Sequence, residues 1–366
     1  MSKIGTITFH CAYNYGAVLQ AYSLVKFLKN QNYQAEVIDY WPPRRIEDKN
    51  RFFLNKNIFH PVIIIQNMIK FLKMTDLKDK KNKYDIFRSE ILSVSSTICN
   101  SSEDLKKISK HYNYIITGSD QVWNPMTGYD GNYFLEFAEH KQKIAYAPSI
   151  GVPNIPSNLA PKIANLINDF SYLSSREHRG SEIIKELTGR DSLTVVDPVF
   201  LQTKEEWLDI TVPMELPEKY ILVYVVRRRK NMETYLNKLK AELDLPIYLI
   251  VGTNSASRGF ISADKVFWSA GPKEFVTLFS KATVVCTNSF HGTAFSLIFR
   301  KPFLVFPHTT GDSRVKSILS RCDLEERIVS PETNNFKDPF ALPTGNFDLL
   351  EQEIKASKEY LLKAVS

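Results

Sequence analysis

The chain carries little that would tie it to a metal, a disulfide framework or a bilayer. Only four cysteines occur in 366 residues, Cys11, Cys99, Cys286 and Cys322. They lie far apart and form no CxxC pair, which argues against a zinc ribbon or a thioredoxin-like centre. Cys11 and Cys286 fall at apolar strand ends and read as buried thiols, a usage that fits a reducing cytoplasm. No HxxxH or paired-carboxylate pattern occurs, so no metal is expected. No GxGxxG follows any strand-like run, which disfavours a dinucleotide cofactor. The opening MSKIGTITFHCAYNYG lacks the apolar core of a signal peptide. The longest apolar run near it, Pro61 to Ile65, is far shorter than the ~20 residues that span a bilayer. Low-complexity tracts and internal repeats are also missing, so wholesale disorder and a repeat architecture are not expected.

What is present suits a soluble globular protein, with 43% hydrophobic and 24% charged residues. A length of 366 residues accommodates two domains. The net charge of +7 is local. Between Pro42 and Lys83 there are eleven basic residues and four acidic ones, and that difference of seven equals the whole-chain excess. The same segment holds the apolar stretch Ile58 to Ile65. Two readings stay open for it. One is peripheral attraction to an anionic membrane surface or a lipid phosphate. The other is a solvated excursion whose apolar face packs on the first domain. Nothing in the charge pattern calls for nucleic acid.

The periodicity alternates strand and helix. Ile4 to Phe9 predicts a strand, Gly16 to Asn30 a helix and Ala35 to Tyr40 a second strand, a βαβ opening that implies a parallel sheet. Further strands are predicted at 112–117, 143–149, 172–175, 193–196, 220–226, 246–251, around Lys265 and Phe267, from Val284, and from Pro302. Helices are predicted at 159–169, 181–187, 232–243, 273–280, 315–319 and 347–364. The fold expected is α/β, with two Rossmann-like domains facing a central cleft. The boundaries are 1–200 for the first domain, including the basic insertion 42–83, then 201–345, and a terminal helix over 346–366.

In open parallel sheets, ligands sit at the carboxyl ends of strands, and the polar turns of this chain fall there. Val284 to Phe306 reads VVCTNSFHGTAFSLIFRKPFLVF: strand, polar turn, helix, strand. Backbone N–H groups at such a helix start favour an anion, and His291 stands beside them as a proton carrier, with Gly292 permitting close approach. Asn14-Tyr15-Gly16 opens the first helix, either as a ligand-facing turn or as a simple cap. Gly118 to Asn124 supplies Ser119, Asp120, Gln121 and Asn124 around Trp123, a set suited to sugar hydroxyls and a sugar face. Its bland alternative is again capping, with Trp123 in the core. Arg176 follows a strand in SSREHRG and suits carboxylate or phosphate, and Arg227 to Arg229 repeat that logic in the second domain.

Taken in order, TFHCAYNYGAVLQAYSLVKFL, ITGSDQVWNP, YAPSIG, SSREHRG, VVDPVFL, TNSFHGTAFSLIFRKPFLVF and GDSRVKSILSRCDLEER resemble the polysaccharide pyruvyl transferase family over about residues 4–330. The resemblance implies two Rossmann-like domains, similar to the two-domain glycosyltransferase architecture. It implies phosphoenolpyruvate as co-substrate, no other cofactor and no metal. It also implies a sugar acceptor, free or lipid-linked, of a cell-surface polysaccharide, and a cytoplasmic location with the inner membrane face as an alternative. The product would be a pyruvate ketal, with phosphate released. Carried over by position, the family histidine is His291 and the arginine of its S-x-R-E-like turn is Arg176, and the mechanism expected from these makes His291 the acid and Asp120 a candidate base. Arg176, Ser289, Phe290 and Gly292 hold the donor. Asn14, Tyr15, Gly16, Ser119, Gln121, Trp123 and Asn124 hold the acceptor. Better-described members have Arg-Leu-His where this chain has Ser289-Phe290-His291, so Arg227 or Arg314 is expected to supply the missing cation. The alternatives are a nucleotide-sugar glycosyltransferase of the same architecture and a non-catalytic sugar-binding protein of polysaccharide assembly.

Overall fold

The computed structural model describes residues 2–43, 71–226, 232–252, 262–306, 313–329 and 336–366. The strands are β1 (Lys3–Ile7), β2 (Gln34–Tyr40), β3 (Val94–Cys99), β4 (Tyr114–Thr117), β5 (Lys143–Ala145), β6 (Ser174–Ser175), β7 (Leu193–Thr194), β8 (Ile221–Val225), β9 (Ile247–Val251), β10 (Lys265–Phe267), β11 (Val284–Thr287) and β12 (Phe303–Val305). The helices used below are α1 (Tyr15–Asn30), α2 (Met74–Ile86), α3 (Ser102–Ser109), α4 (Ala160–Asn168), α5 (His178–Thr188), α6 (Lys204–Leu208), α7 (Met232–Leu243), α8 (Pro272–Lys281), α9 (Phe290–Ile298), α10 (Ser313–Ser320) and α11 (Asp348–Ala364).

Two five-stranded sheets result, ordered β3-β2-β1-β4-β5 and β10-β9-β8-β11-β12. Every pairing within them is parallel. Counted within each half, both orders are third-second-first-fourth-fifth, so each half reverses direction between its first and fourth strands. Such reversals open the crevice in which doubly wound sheets bind ligands. The central strand β8, ILVYV, is buried along its whole length, because helices cover both faces of a parallel sheet.

The two halves share one core. Tyr15, the first residue of α1, is buried and stacks on Phe275 of α8 with ring centroids 4.5 Å apart. Its hydroxyl donates to the carbonyl of Ala270 at 2.7 Å. Trp207 of α6 packs edge-on against Phe295 of α9 and donates its indole N–H to Val199. The last helix returns to the first half, where Tyr360 donates to the carbonyl of Ala145 and Ser357 accepts from the amide of Val196.

Two differences from the sequence expectations have physical causes. The third strand of the first sheet, β3, was not anticipated. It is an edge strand whose Ile98 is exposed and whose middle is polar, so its apolar alternation is weak. Part of the basic segment 42–83 is also built into the body. The helix α2 buries Leu77, Lys80 and Tyr84. Lys80 donates to the carbonyl of Val251 and sits over the Tyr15 ring, and Lys83 pairs with Glu274 at 2.9 Å. Residues 44–70, which hold the apolar stretch considered for membrane contact, lie outside the described residues. Among the described residues no helix is long and apolar enough to cross a membrane.

Candidate active site

Five strand ends meet where the halves face one another. From the first half come the starts of α1 and the turn after β4, then Arg176 after β6 and Asp197 after β7. From the second half comes the start of α9. Two glycines mark how close this approach is. A Cβ on Gly16 would lie 2.0 Å from Nδ1 of His291, and one on Gly292 would lie 2.2 Å from Oγ1 of Thr287. Neither position can carry a side chain without displacing a neighbour.

The chemical centre is a single oxygen, Oδ2 of Asp197. It accepts from Ser119 Oγ at 2.9 Å and from Arg176 Nη1 at 2.8 Å. Nε2 of His291 stands 3.5 Å from the same oxygen, an ion-pair distance rather than a hydrogen bond. The other oxygen, Oδ1, accepts from the amide of Val199 at 3.1 Å and so caps the turn Pro198–Leu201. All three partners are buried, with Asp197 at 1%, Arg176 at 4% and His291 at 8% exposure. Burial by itself pushes a carboxyl up. Here His291 and the guanidinium of Arg176 outweigh it, and hold Asp197 well below the usual carboxylate range. The carboxylate therefore stays ionised and fixes Arg176 and His291, drawn from opposite halves.

Arg176 keeps donors in reserve. Its Nε and Nη2 are buried and have no hydrogen-bond partner among the described residues. Nε is 3.7 Å from Oε2 of Glu177, which is also unpartnered. The other oxygen of Glu177 is fully used, accepting from Ser149 Oγ and the amide of Gly151. The guanidinium lies 4.5 Å from the ring centroid of Phe290, so a residue of the second half covers it. Buried donors left unpaired cost ~1–3 kcal/mol each and call for an explanation. A bound anion supplies one. The start of α9 points the same way, because Ser289 occupies its N-cap without a side-chain capping bond.

The remaining expected residues divide into those the cleft gathers and those it does not. Asp120 sits after β4 with φ 70, an uncommon backbone for a residue with a side chain. Its carbonyl accepts from Ser149. Its carboxylate adds to the burial that raises the phenol of Tyr224, while the Ser289 hydroxyl opposes that shift. Gln121 and Asn124 bond to each other at 2.5 Å, and Asn124 also caps the short turn Pro125–Thr127. Asn14 is exposed and caps α1 by accepting from Ala17 at 3.2 Å.

Three assignments to the acceptor require correction. Trp123 does not offer a face to a sugar. It is buried, stacked on Phe134 at 5.1 Å, with its indole N–H on the carbonyl of Tyr133. Ser119 is buried and its hydroxyl supports Asp197. Tyr15 is locked in the shared core with its hydroxyl partnered. In each case a polar group placed beside a strand end meets a protein partner first. Of the cations expected to replace the missing arginine, Arg227 lies outside the described residues, and Arg314 is on α10, half-buried.

Two residues outside the expected set also belong here. Asp197 is not among the residues expected from the sequence, although a carboxylate directly after the run LTVV and before a proline is an available signal. Arg321 sits behind Arg176, its Nη2 3.4 Å from the carbonyl of Arg176 and its Nη1 3.0 Å from Glu353 of α11.

Solved structures of similar shape include the UDP-GlcNAc 2-epimerase of Neisseria meningitidis bound to UDP-GlcNAc. It is 13% identical with a TM-score of 0.51, over 99% of this chain and 100% of that one. The UDP-N-acetylglucosamine 2-epimerase of Rickettsia bellii is 12% identical with a TM-score of 0.50, over 100% and 96% of the two chains. At such identity the likeness is one of fold, the GT-B-like pairing of two parallel α/β sheets. No curated protein matches the sequence significantly. The family model described as polysaccharide pyruvyl transferase matches residues 14–310, which takes in the start of α1 and the ends of β4, β6, β7 and β11, and the chain belongs to that enzyme family.

Proposed function

We propose that the protein transfers the pyruvyl group of phosphoenolpyruvate to a sugar of a cell-surface polysaccharide or its lipid-linked precursor, forming a pyruvate ketal and releasing phosphate. The observation that carries this reading is the pair Arg176 and His291, held on one buried carboxylate with two guanidinium donors unpartnered. A fixed arginine with free N–H groups suits a carboxylate or phosphate, and a histidine beside it suits proton transfer. In this scheme residues 1–200 face the acceptor and residues 201–345 complete the donor side.

The steps follow from those groups. His291 gives a proton to the methylene carbon of phosphoenolpyruvate, and C2 becomes an oxocarbenium. One sugar hydroxyl forms a bond to C2 and passes its proton to a base, for which Asp120 is the cleft carboxylate at hand. A second hydroxyl of the same sugar then bonds to C2 as the C2–O bond to phosphate breaks, and its proton leaves with the phosphate. Arg176 and the amides of Ser289 to Gly292 hold the carboxylate and phosphate while charge develops. Asn14, Gln121 and Asn124 orient the acceptor.

The test compares thermal shifts with phosphoenolpyruvate, phosphate, UDP and GDP, since a ligand of the native state raises its apparent stability. A shift with phosphoenolpyruvate that disappears in Arg176→Ala is expected. Acceptor-dependent phosphate release would follow. A shift with UDP or GDP alone would instead favour a nucleotide-sugar glycosyltransferase.

A further inference from the structure

The helix α9 has two ends with different surroundings. Its start lies in the cleft, and its far end forms one wall of a separate cavity of about 310 Å³. That volume is at the lower limit of small-molecule sites, ~300–1,000 Å³. Leu297, Phe303, Leu324, Leu342 and Phe347 give it apolar walls. Phe340 stands at the rim, 50% exposed. Among the described residues, Arg300, Lys301 and Arg327 are its charged lining, with no aspartate or glutamate.

The three cations are not equivalent. Arg327 is structural, since its guanidinium donates to the carbonyls of Pro339, Leu342 and Pro343 and so ties down the loop that closes the cavity. Arg300 stacks on Phe347 and pairs with Glu351 at 2.9 Å. It follows the end of α9 at φ 52, where glycine is the usual choice. Lys301 has neither a hydrogen bond nor an ion pair for its ammonium among the described residues. It is half-buried, and burial together with the nearby Lys204 disfavours its charged form. Cations at a helix C-terminus are often there for the helix dipole alone. That accounts for Arg300, but not for a half-buried lysine that has no acidic partner among the described residues. An unpaired cation over an apolar cavity is complementary to an anion that carries its own apolar body.

We infer that this cavity binds a small amphiphilic anion: an apolar body of about ring size bearing one carboxylate, sulfonate or phosphate. The apolar body fills the space between Leu297, Phe303 and Phe347, and the anionic group meets Lys301 and Arg300. The site is distinct from the cleft and does not depend on the reaction proposed there.

The test uses the full chain and anilinonaphthalene sulfonate, a fluorescent aromatic anion, with its neutral relative phenylnaphthylamine as control. One saturable site is expected for the sulfonate, undisturbed by saturating phosphoenolpyruvate or phosphate. Binding should weaken about tenfold or more for the neutral probe and for Lys301→Glu, the scale of one charge-assisted contact. Phe340→Asp, at the exposed rim, should weaken it too and serves should the lysine variant misfold. The inference is overturned by any of three results: no saturable site, equal binding of the neutral probe, or full affinity in both variants. Displacement by phosphoenolpyruvate would overturn it as well, by placing the probe in the cleft.

Discussion

Arg176 and Arg179 stand three positions apart in one turn, yet the fold gives them opposite surroundings. Arg179 is satisfied at every nitrogen. Its Nε donates to Pro153, Nη1 to Glu182 and Glu186, and Nη2 to Asn154 and Glu186. All of those partners lie in the first half, near the surface. Arg176 is buried beneath Phe290 of the second half, shares one nitrogen with Asp197 and leaves two unpartnered. The contrast separates a cation that serves structure from one that can serve a ligand. Residue type and local sequence are the same for both. Position decides: Arg176 continues the end of β6 into the cleft, while Arg179 is the second residue of α5 and faces outward.

Breaking the buried member should have the largest effect. Arg176→Ala leaves Asp197 and Glu177 buried with one partner fewer, and loss of one partner of a buried pair costs ~3–5 kcal/mol. Thermal or urea unfolding should show that loss, together with loss of the phosphoenolpyruvate shift. Arg176→Lys should recover part of the stability but not the ligand shift, because a point charge does not replace a planar fork. A lysine variant with full donor binding would remove the distinction drawn here.

His291→Ala tests the second group facing the same oxygen. Loss of general acid–base help lowers rates by ~10²–10⁴, so turnover should fall by that order. The melting profile should move less than in Arg176→Ala, since Asp197 retains its arginine. Turnover near the unmutated rate would end the proton-transfer role.

Much of this contrast was legible in the sequence, and some of it could not have been. The run VVCTNSFHG announces a strand, a turn and a helix start, and β11 and α9 form there. The alternation that predicts two parallel sheets rests on local periodicity, which sequence carries well. The β3 edge is weak in the sequence because its middle is the polar run Ser95-Ser96-Thr97 and its Ile98 meets solvent. Trp123 was misplaced because its core neighbours, Phe134 and Phe170, come from other parts of the chain. Asp197 was overlooked for the same reason. Its role depends on Ser119, Arg176 and His291, which are 78, 21 and 94 residues away in the chain. Which arginine of SSREHRG turns inward is likewise a tertiary fact.

Asp197→Asn is read through the pH dependence of stability rather than through the midpoint alone. The carboxyl is held below its ordinary value in the folded state, so between that value and the unfolded one, ~3.9, the unfolded chain binds more protons. Stability from this group is complete above about pH 4 and drains away as pH falls further, by at most ~1.4 kcal/mol per pH unit for one proton. The asparagine variant lacks that component, and its stability should fall less steeply on acidification. Parallel acid curves for the two proteins would show that Asp197 does not carry the charge coupling. Tyr15→Phe offers a milder check, since Tyr15 is a buried group that is fully partnered. Removing its hydroxyl strands the carbonyl of Ala270 and should cost about 1 kcal/mol, with the phosphoenolpyruvate shift unchanged.

The smallest effect is expected at Arg179, and it makes the comparison exact in kind. Arg179→Ala deletes more hydrogen bonds than Arg176→Ala does, five against two, if contacts are simply counted. Counting would therefore rank it as the more damaging change. Physical reasoning reverses the order. The carboxylates of Glu182 and Glu186 are exposed and return to water when the arginine is removed, and exposed ion pairs contribute little net. The unfolding midpoint should stay close to that of the unmutated protein, with phosphoenolpyruvate binding and turnover intact. Raised salt should narrow even that difference, because exposed charges are screened. A loss at Arg179 comparable with that at Arg176 would mean that the surface network positions the turn, and that both arginines act as one unit in holding the donor.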